Sequence, residues 1–152
     1  MTRVLFVCTG NICRSPMAEA IFRCKVQEAG RSAEFEIDSA GTGGWHEGEQ
    51  ADLRTRRECE RCGTPCAVRA RKIREADLTD FDLVICMDRG HIADLQAYRT
   101  FDAQKVVLMM DYAPKFGERD VFDPYYGGPE GFQVIYDMID AACDGLLSRI
   151  DQ

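Results

Sequence analysis

The sequence predicts an α/β fold, an open, four-stranded parallel sheet with helices on both faces. Two observations predict it. Short apolar runs typical of strands alternate with segments whose apolar residues recur every three or four positions. No repeat, low-complexity segment or Pro-rich linker interrupts this alternation. Strands that alternate with helices favour right-handed βαβ crossovers, which build a parallel sheet covered on both faces.

Four strands are expected from apolar or alternating runs, at residues 4–7, 34–39, 81–87 and 105–110. The first helix follows Ser15-Pro16, where Ser is a typical N-cap and Pro suits the first helical position, and it runs towards Gly30. Further helices are predicted at residues 51–61, charged and solvated, and 89–98. The last helix has the clearest periodicity, between Phe132 and Ile150.

Length and charge limit the possible classes of protein. The 152 residues suit a single domain over residues 1–152. The net charge of −7 disfavours binding to nucleic acid, which needs Lys and Arg to displace counterions. The longest apolar runs have five residues, where a membrane span needs about 20. The N-terminus also lacks the pattern of a secretory signal, so we expect no membrane association and a cytoplasmic location.

The segment with the clearest chemistry is Cys8-Thr9-Gly10-Asn11-Ile12-Cys13-Arg14-Ser15, between the first strand and its helix. Ligands of such sheets bind beyond the carboxyl ends of the strands. A loop wrapped around one point turns its N–H groups inward, and the helix adds the positive end of its dipole. Gly10 and Asn11 tolerate the left-handed conformations that a tight loop needs. These features predict a phosphate-binding loop.

Two side chains give this loop a catalytic character. Arg14 offers a planar guanidinium that can hold two phosphate oxygens at once. In the same positive field a cysteine loses its proton readily, its pKa falling from about 8.5 to roughly 3.5–7.5. Cys8 is therefore a candidate thiolate nucleophile directed at phosphorus.

The segment from Val4 to Glu19, with Cys8, Asn11, Cys13 and Arg14, resembles the signature of the low-molecular-weight protein tyrosine phosphatases. Residues 38–42, 82–88 and 123–127 also resemble segments of this family, in family order. The resemblance covers nearly the whole chain. It implies a flavodoxin-like fold with the phosphate loop after the first strand.

The resemblance also implies roles for individual residues. Cys8 corresponds to the nucleophile, Arg14 to the residue that binds the phosphoryl group, and Asp123 to the general acid. Ser15 corresponds to the hydroxyl that hydrogen-bonds the thiolate, and Asn11 and Ser39 to the pair that supports the loop. The implied activity is hydrolysis of phosphotyrosine, an aryl phosphate monoester, through a phosphocysteine intermediate, without metal or cofactor.

The substrate is expected to lie between aromatic side chains. Trp45, Tyr125 and Tyr126 fall where the family has the walls around the phosphorylated ring, and tall walls favour phosphotyrosine over phosphoserine. Substrate contacts are also expected from the loop, at Thr9, Gly10, Asn11, Ile12, Cys13 and Ser15. The implied partner is a phosphotyrosine-containing protein or a small aryl phosphate, and the enzyme is expected to be a monomer or weak homodimer.

The chain has eight cysteines. Cys24, Cys86 and Cys143 lie within apolar patterns and are expected in the core. Cys13 is, by resemblance, the redox partner of Cys8: peroxide would convert Cys8 to a sulfenic acid, which Cys13 would capture as a disulfide. The alternative is that Cys13 only fills space against the sheet.

One position departs from the family pattern. Many members have a His where this chain has Val68, so Asp88 is expected to lack its usual partner and the loop network to be looser. The two histidines present, His46 and His91, are expected to be exposed polar residues.

Two other classes stay open. Arsenate reductases share this fold and loop but need two further cysteines about seven residues apart; Cys86 lies near the first position, and Ala93 occupies the second. A zinc-binding module could use Cys59, Cys62 and Cys66, although a structural zinc site needs four ligands. The simpler interpretation places these three as surface thiols on the charged helix and the loop after it.

Overall fold

Strands and helices alternate along residues 1–150, the part of the chain that this computed structural model describes. In chain order they are β1 Thr2–Cys8, α1 Arg14–Glu28, β2 Phe35–Gly41, α2 Leu53–Arg61, α3 Glu75–Asp80, β3 Leu83–Cys86, α4 Arg89–Leu95, β4 Val106–Leu108 and α5 Glu130–Ile150. Short 3₁₀ turns are found at Ser32–Glu34, Met109–Tyr112 and Pro114–Phe116.

The strands form one parallel sheet in the order β2-β1-β3-β4. Strand β1 is central: Val4 lies opposite Ile37 of β2 on one side and Leu83 of β3 on the other. The chain leaves β1 towards one edge and later crosses to the other, so the end of β1 is the point where the strand order reverses. The expected open, four-stranded parallel sheet of a flavodoxin-like α/β fold is confirmed.

Alternation along β1 creates two cores, one on each face of the sheet. Val4 and Phe6 belong to the core that includes residues of α1 and α5, whereas Leu5 and Val7 belong to the core that includes residues of α3 and α4. All four side chains are fully buried. A central parallel strand buried on both faces is continuously apolar, as this one is. The sheet is therefore covered on both faces, as expected.

Several predicted boundaries were wrong, and one short helix was missed. Helix α2 begins at Leu53 because the Asp52 side chain caps it, accepting a hydrogen bond from the Arg54 N–H at 2.8 Å. Strand β4 stops at Leu108 because the 3₁₀ turn Met109–Tyr112 continues the chain. Helix α4 ends at Leu95, shorter than predicted. Helix α3 was missed, since its six residues are too few to show a helical period.

The start of α1 also differs from the prediction. The helix begins at Arg14, its N-cap position is Cys13, and no side chain caps it. Ser15 is not the N-cap, because its hydroxyl contacts Cys8 and Asn11 instead. The hydroxyl expected to begin a helix thus belongs to the phosphate loop.

Three of the six cysteines outside the loop are buried. Cys86 and Cys143 lie in the core as expected, while Cys24 is only half-buried. Cys59 is fully buried rather than at the surface, because α2 packs against both α1 and α5. Cys62 is exposed and Cys66 half-buried. The expectation of three surface thiols is therefore wrong for Cys59.

Among residues 1–150, no helix combines the length and apolar character that crossing a lipid bilayer requires.

Gly145 of α5 provides a test of this packing. A Cβ at this position would lie 2.0 Å from the backbone oxygen of Tyr112, so helix and 3₁₀ turn would have to separate. We predict that Gly145→Ala lowers the free energy of unfolding by about 1–3 kcal/mol, although Ala is the better helix former. Urea unfolding measures the change. Gly131→Ala is the matched control in the same helix, since its Cβ would meet Phe122 at an ordinary 3.5 Å. An equal loss in both variants would contradict the packing argument.

Candidate active site

The loop between β1 and α1, residues 9–13, closes around the carboxyl end of the central strand. Asn11 has a φ of 57°, in the left-handed region, as its residue type suggested. Gly10 does not have a positive φ, so that part of the expectation was wrong. A side chain at position 10 is disfavoured by lack of space instead, because a Cβ there would lie 3.0 Å from Cδ2 of His46.

A hydrogen-bond network positions the Cys8 sulfur. Cys8 is 2% exposed, and its Sγ lies 2.9 Å from Oγ of Ser15. The Asn11 side-chain N–H donates to the same Ser15 oxygen at 2.8 Å and to Oγ of Ser39 at 3.0 Å. Because Ser15 accepts from Asn11, its own O–H is free to donate to the sulfur. This is the orientation that stabilises a thiolate.

The network continues to residues that sequence reasoning did not select. The Ser39 hydroxyl donates to Oε1 of the buried Glu19 at 2.7 Å. Burial raises the pKa of Glu19, while the hydrogen bonds from Ser39 and Arg23 oppose that rise. The backbone N–H of Arg71 donates to Oδ1 of Asn11 at 2.9 Å. Glu19 ends the segment that resembles the family signature but was given no role, and no local pattern pointed to Arg71, because these contacts are tertiary.

The guanidinium of Arg14 is buried and firmly held. It is 2% exposed, and its Nη1 donates to Oδ2 of Asp88 at 2.7 Å and to the Val121 carbonyl at 2.8 Å. Its Nη2 lies 3.9 Å from Oδ2 of Asp123. Asp88 thus pairs with Arg14, in a chain where Val68 replaces the histidine of many family members.

His91 is the clearest correction to the sequence analysis. It was expected at the surface but is 2% exposed, on the first turn of α4. Its Nδ1 accepts a hydrogen bond from the Asp88 N–H at 3.1 Å, which leaves the proton of the neutral ring on Nε2. That N–H donates to the Thr9 hydroxyl at 2.9 Å, and Nε2 also lies 3.4 Å from Nη2 of Arg14. His91 therefore packs directly against the phosphate loop.

Asp123 lies at the mouth of the site with its side chain 45% exposed. Its Oδ1 accepts a hydrogen bond from the Tyr125 N–H at 3.0 Å, which leaves Oδ2 on the side of Arg14. Asp120, three residues earlier, is instead paired with Arg89, whose hydrogen bonds lower the pKa of Asp120. Asp123 is the acid that faces the loop.

The side chains of Cys8, Arg14 and Asp123 line one pocket of about 360 Å³. Its lining residues are Cys8, Thr9, Gly10, Ile12, Cys13, Arg14, Trp45, His46, Asp123, Tyr125 and Tyr126. Trp45 and Tyr126 form a tall, open rim, since they are 73% and 91% exposed. Of the other selected residues, Asn11, Ser15 and Ser39 lie behind the pocket in the network described above. His46, expected to be only an exposed polar residue, also lines the pocket.

Cys13 shares this pocket with Cys8, and both are free thiols. Burial raises the pKa of Cys13 to about 12. The disulfide between Cys8 and Cys13 stays a prediction. Among residues 1–150, no group of three or more His, Cys, Asp or Glu side chains is arranged to hold a metal ion, so Cys59, Cys62 and Cys66 do not form such a site.

Comparison with known proteins matches this arrangement to one family. The family model described as low molecular weight phosphotyrosine protein phosphatase matches residues 3–152. The chain belongs to this family. A low molecular weight protein-tyrosine-phosphatase of Streptomyces coelicolor is 49% identical over 152 residues, which cover 97% of this chain and 93% of the relative.

Solved structures agree with the family assignment. A protein tyrosine phosphatase from Entamoeba histolytica, crystallised with Hepes in its active site, is 34% identical and superposes with a TM-score of 0.94, over 99% of this chain and 97% of that one. DARP, described as a Drosophila arginine phosphatase, is 30% identical with a TM-score of 0.90, over 100% of this chain and 99% of that one. Low molecular weight phosphatases are enzymes, so this chain is one as well.

His91 makes a pH dependence testable in this phosphatase. Burial and the charge of Arg14 lower the pKa of His91 to about 4, while Asp88, Asp94 and Asp123 oppose the shift. Between pH 6.5, the ordinary pKa of His, and about 4, the unfolded chain binds a proton that folded His91 does not. The contribution of His91 to the free energy of unfolding is therefore fully present above pH 6.5. It is lost as the pH falls towards 4, which lowers the free energy of unfolding by up to about 3 kcal/mol.

We predict that His91→Asn removes this part of the pH dependence, because Asn cannot titrate. Its short amide can still accept from the Asp88 N–H but does not reach Thr9. The measurement is urea unfolding of both proteins at about pH 7 and about pH 5. The same loss of stability in wild type and variant would contradict the assignment.

Proposed function

We propose that this enzyme hydrolyses aryl phosphate monoesters, with phosphotyrosine in proteins as its substrate, through a phosphocysteine on Cys8. The observation that carries the proposal is the convergence of Cys8, Arg14 and Asp123 on one pocket with an aromatic rim. A sulfur nucleophile, a guanidinium and a carboxyl group are the three functions that transfer of a phosphoryl group to the protein requires.

In the proposed first step the Cys8 sulfur attacks phosphorus. An S–P bond forms as the P–O bond to the phenol breaks, and Asp123 donates its proton to the departing oxygen. The Ser15 hydroxyl, 2.9 Å from the sulfur, stabilises the thiolate before attack. The loop N–H groups and the N-terminus of α1 bind the negative oxygens of the phosphoryl group.

In the second step water attacks the phosphocysteine. Asp123, now a carboxylate, takes a proton from the water, the S–P bond breaks, and phosphate and the Cys8 thiolate are released. Arg14 holds the phosphoryl oxygens throughout both steps. Its buried pairing with Asp88 and the Val121 carbonyl fixes the guanidinium before substrate arrives, so little reorganisation is needed in the transition state.

The shape of the pocket supports an aromatic substrate. Ile12, Trp45 and Tyr125 offer apolar and aromatic surface beside the loop, and the exposed Tyr126 packs edge-on against Tyr125 at 5.0 Å between ring centres. A phenyl ring gains from such walls by burial and ring contacts. A phosphorylated guanidinium, the substrate type that the name of the Drosophila relative indicates, would instead require acceptors along the wall. Because the wall offered by Ile12, Trp45 and Tyr125 is apolar and aromatic, we expect phosphotyrosine to be preferred over phosphoarginine.

The proposal includes a cellular setting. We place the enzyme in the cytoplasm, as a single domain over residues 1–152 that is a monomer or weak homodimer. All eight cysteines are free, and a thiol nucleophile persists in a reducing compartment.

The test of this function is turnover of phosphotyrosine, phosphoserine and phosphoarginine side by side, in the wild type and in Cys8→Ser. We expect phosphotyrosine to be the best substrate of the wild type. Cys8→Ser should lose about 1,000-fold or more of kcat, because a neutral hydroxyl replaces the thiolate. Vanadate binding should persist in the variant, since the loop and Arg14 remain. Preference for phosphoarginine, or turnover by Cys8→Ser at the wild-type rate, would overturn the proposal.

Asp123→Asn tests the general acid separately. An amide cannot give up a proton, so we expect kcat to fall about 100-fold or more for phenols of high pKa and much less for p-nitrophenyl phosphate. The measurement is the slope of log kcat against leaving-group pKa, which should steepen in the variant. Asp120→Asn is the control, because its carboxylate is held by Arg89 away from the pocket. An unchanged slope in Asp123→Asn would assign the acid elsewhere.

A further inference from the structure

A second cavity, of about 500 Å³, lies beside the reaction pocket. We call it the flank groove; its lining residues are Ile12, His46, Glu49, Gln50, Ala51, Asp52, Arg56, Arg69 and Tyr125. Three of them, Ile12, His46 and Tyr125, also line the reaction pocket. A substrate whose phosphorylated ring occupies the pocket therefore has neighbouring residues at the entrance to the groove.

Backbone hydrogen bonds attach one wall of the flank groove to the phosphate loop and join two chain segments in the other wall. The Asp52 N–H donates to the Ile12 carbonyl of the loop at 2.8 Å. On the opposite wall, Gln50 and Arg69 form an antiparallel bridge, and the Ala70 N–H donates to the Glu49 carbonyl at 2.9 Å. The groove thus has a fixed position relative to the reaction pocket.

Two arginines of the flank groove have no carboxylate partner. Arg56 donates from Nε to the Ala51 carbonyl at 2.9 Å, and Arg69 donates from Nη1 to the Gly48 carbonyl at 3.3 Å. Over the described residues 1–150, neither forms an ion pair. Carbonyl contacts do not neutralise a guanidinium, although the charge of Arg56 also helps to lower the pKa of Asp52. The remaining N–H groups of both arginines can bind a carboxylate from outside.

The carboxylates of the flank groove are already engaged. Asp52 accepts from Nε and Nη2 of Arg54, both at 3.0 Å, so its charge is balanced by an arginine outside the groove. Glu49 accepts from Nδ1 of His46 at 2.9 Å. Because Arg54 balances the charge of Asp52, the two guanidinium groups of Arg56 and Arg69 face only the carboxylate of Glu49. The groove is locally positive in a chain whose net charge is −7.

We propose that the flank groove binds an acidic side chain, Asp or Glu, next to the phosphotyrosine of the protein substrate. The proposal rests on the proposed function, because it names the class of phosphotyrosine sequence that the same pocket accepts. The overall negative charge repels acidic segments, so recognition of one depends on the local charge of Arg56 and Arg69. Arg56 is half-buried and Arg69 is exposed, so the interaction is sensitive to salt.

The experiment compares phosphotyrosine peptides with Ala at every flanking position against peptides with one Glu, moved through the positions on each side. Since an extended chain advances about 3.3 Å per residue, positions within a few residues of the phosphotyrosine can reach the adjacent groove. We expect one Glu position to raise kcat/KM about 3- to 10-fold at low salt, mainly through KM. Added salt should reduce the gain. No preference for Glu over Ala or Lys at any position would overturn the proposal.

Variants then locate the effect. Arg69→Glu and Arg56→Gln should each remove the gain from the Glu peptide while leaving kcat for p-nitrophenyl phosphate, which has no flanking residue, within about twofold of wild type. Arg69→Glu should also prefer the matching Lys peptide. Arg57→Gln, an exposed residue of α2 that does not line the groove, is the matched control and should keep the gain. A gain that survives in both groove variants, or that disappears in Arg57→Gln, would overturn the assignment.

The two proposals fail in different ways. If the wild type does not hydrolyse phosphotyrosine or p-nitrophenyl phosphate, the proposed function is wrong whatever the flanking residues do. If it hydrolyses both but does not distinguish Glu from Ala peptides, only the flank groove proposal is wrong.

Discussion

The buried side chain of Asn11 is the constraint on which the site depends. Asn11 is fully buried in a left-handed conformation, and its amide bridges Ser15, Ser39 and the backbone of Arg71. A buried amide without hydrogen-bond partners costs about 1–3 kcal/mol. The segments that carry Ser15, Ser39 and Arg71 are therefore kept within hydrogen-bond distance of Asn11. Ser15 then has only its O–H to offer to Cys8. The position of the Cys8 sulfur follows from a residue that does not line the pocket.

A second buried cluster connects the phosphate loop to the other half of the sheet. Arg14 is held by Asp88, which also caps α4 by accepting from the His91 N–H. His91 completes the cluster by contacting Thr9 in the loop. The carboxyl ends of β1 and β3 thereby share one set of charges and hydrogen bonds. A chain with Val68 in place of a histidine retains a connected site, because Asn11 and Asp88 take other partners.

The open side of the site is built by chain segments that leave the sheet. Trp45 and His46 follow β2, while Asp123, Tyr125 and Tyr126 precede α5. In the proposed mechanism the loop holds the phosphoryl group, and the exposed rim is the surface available to the remainder of the substrate. The segment after β2 also forms a wall of the flank groove. Chemistry and substrate selection are thus divided between buried and exposed parts of the same cleft, which is the common arrangement for loops on a rigid sheet.

The sequence by itself determined the fold class and the phosphate loop, with Cys8 and Arg14 as its candidate residues, because strand periodicity and the Cys-x5-Arg spacing are local along the chain. Asp123 was selected because residues 123–127 resemble a segment of the family. Only the tertiary structure decided the burial of His91, the partner of Asp88, the roles of Glu19 and Arg71 in the network, and the short helix α3. These depend on contacts between residues far apart in sequence; Asn11 and Arg71, for example, are 60 positions apart. The physical reason is that burial and hydrogen-bond partners are set by packing between elements, which no local pattern records.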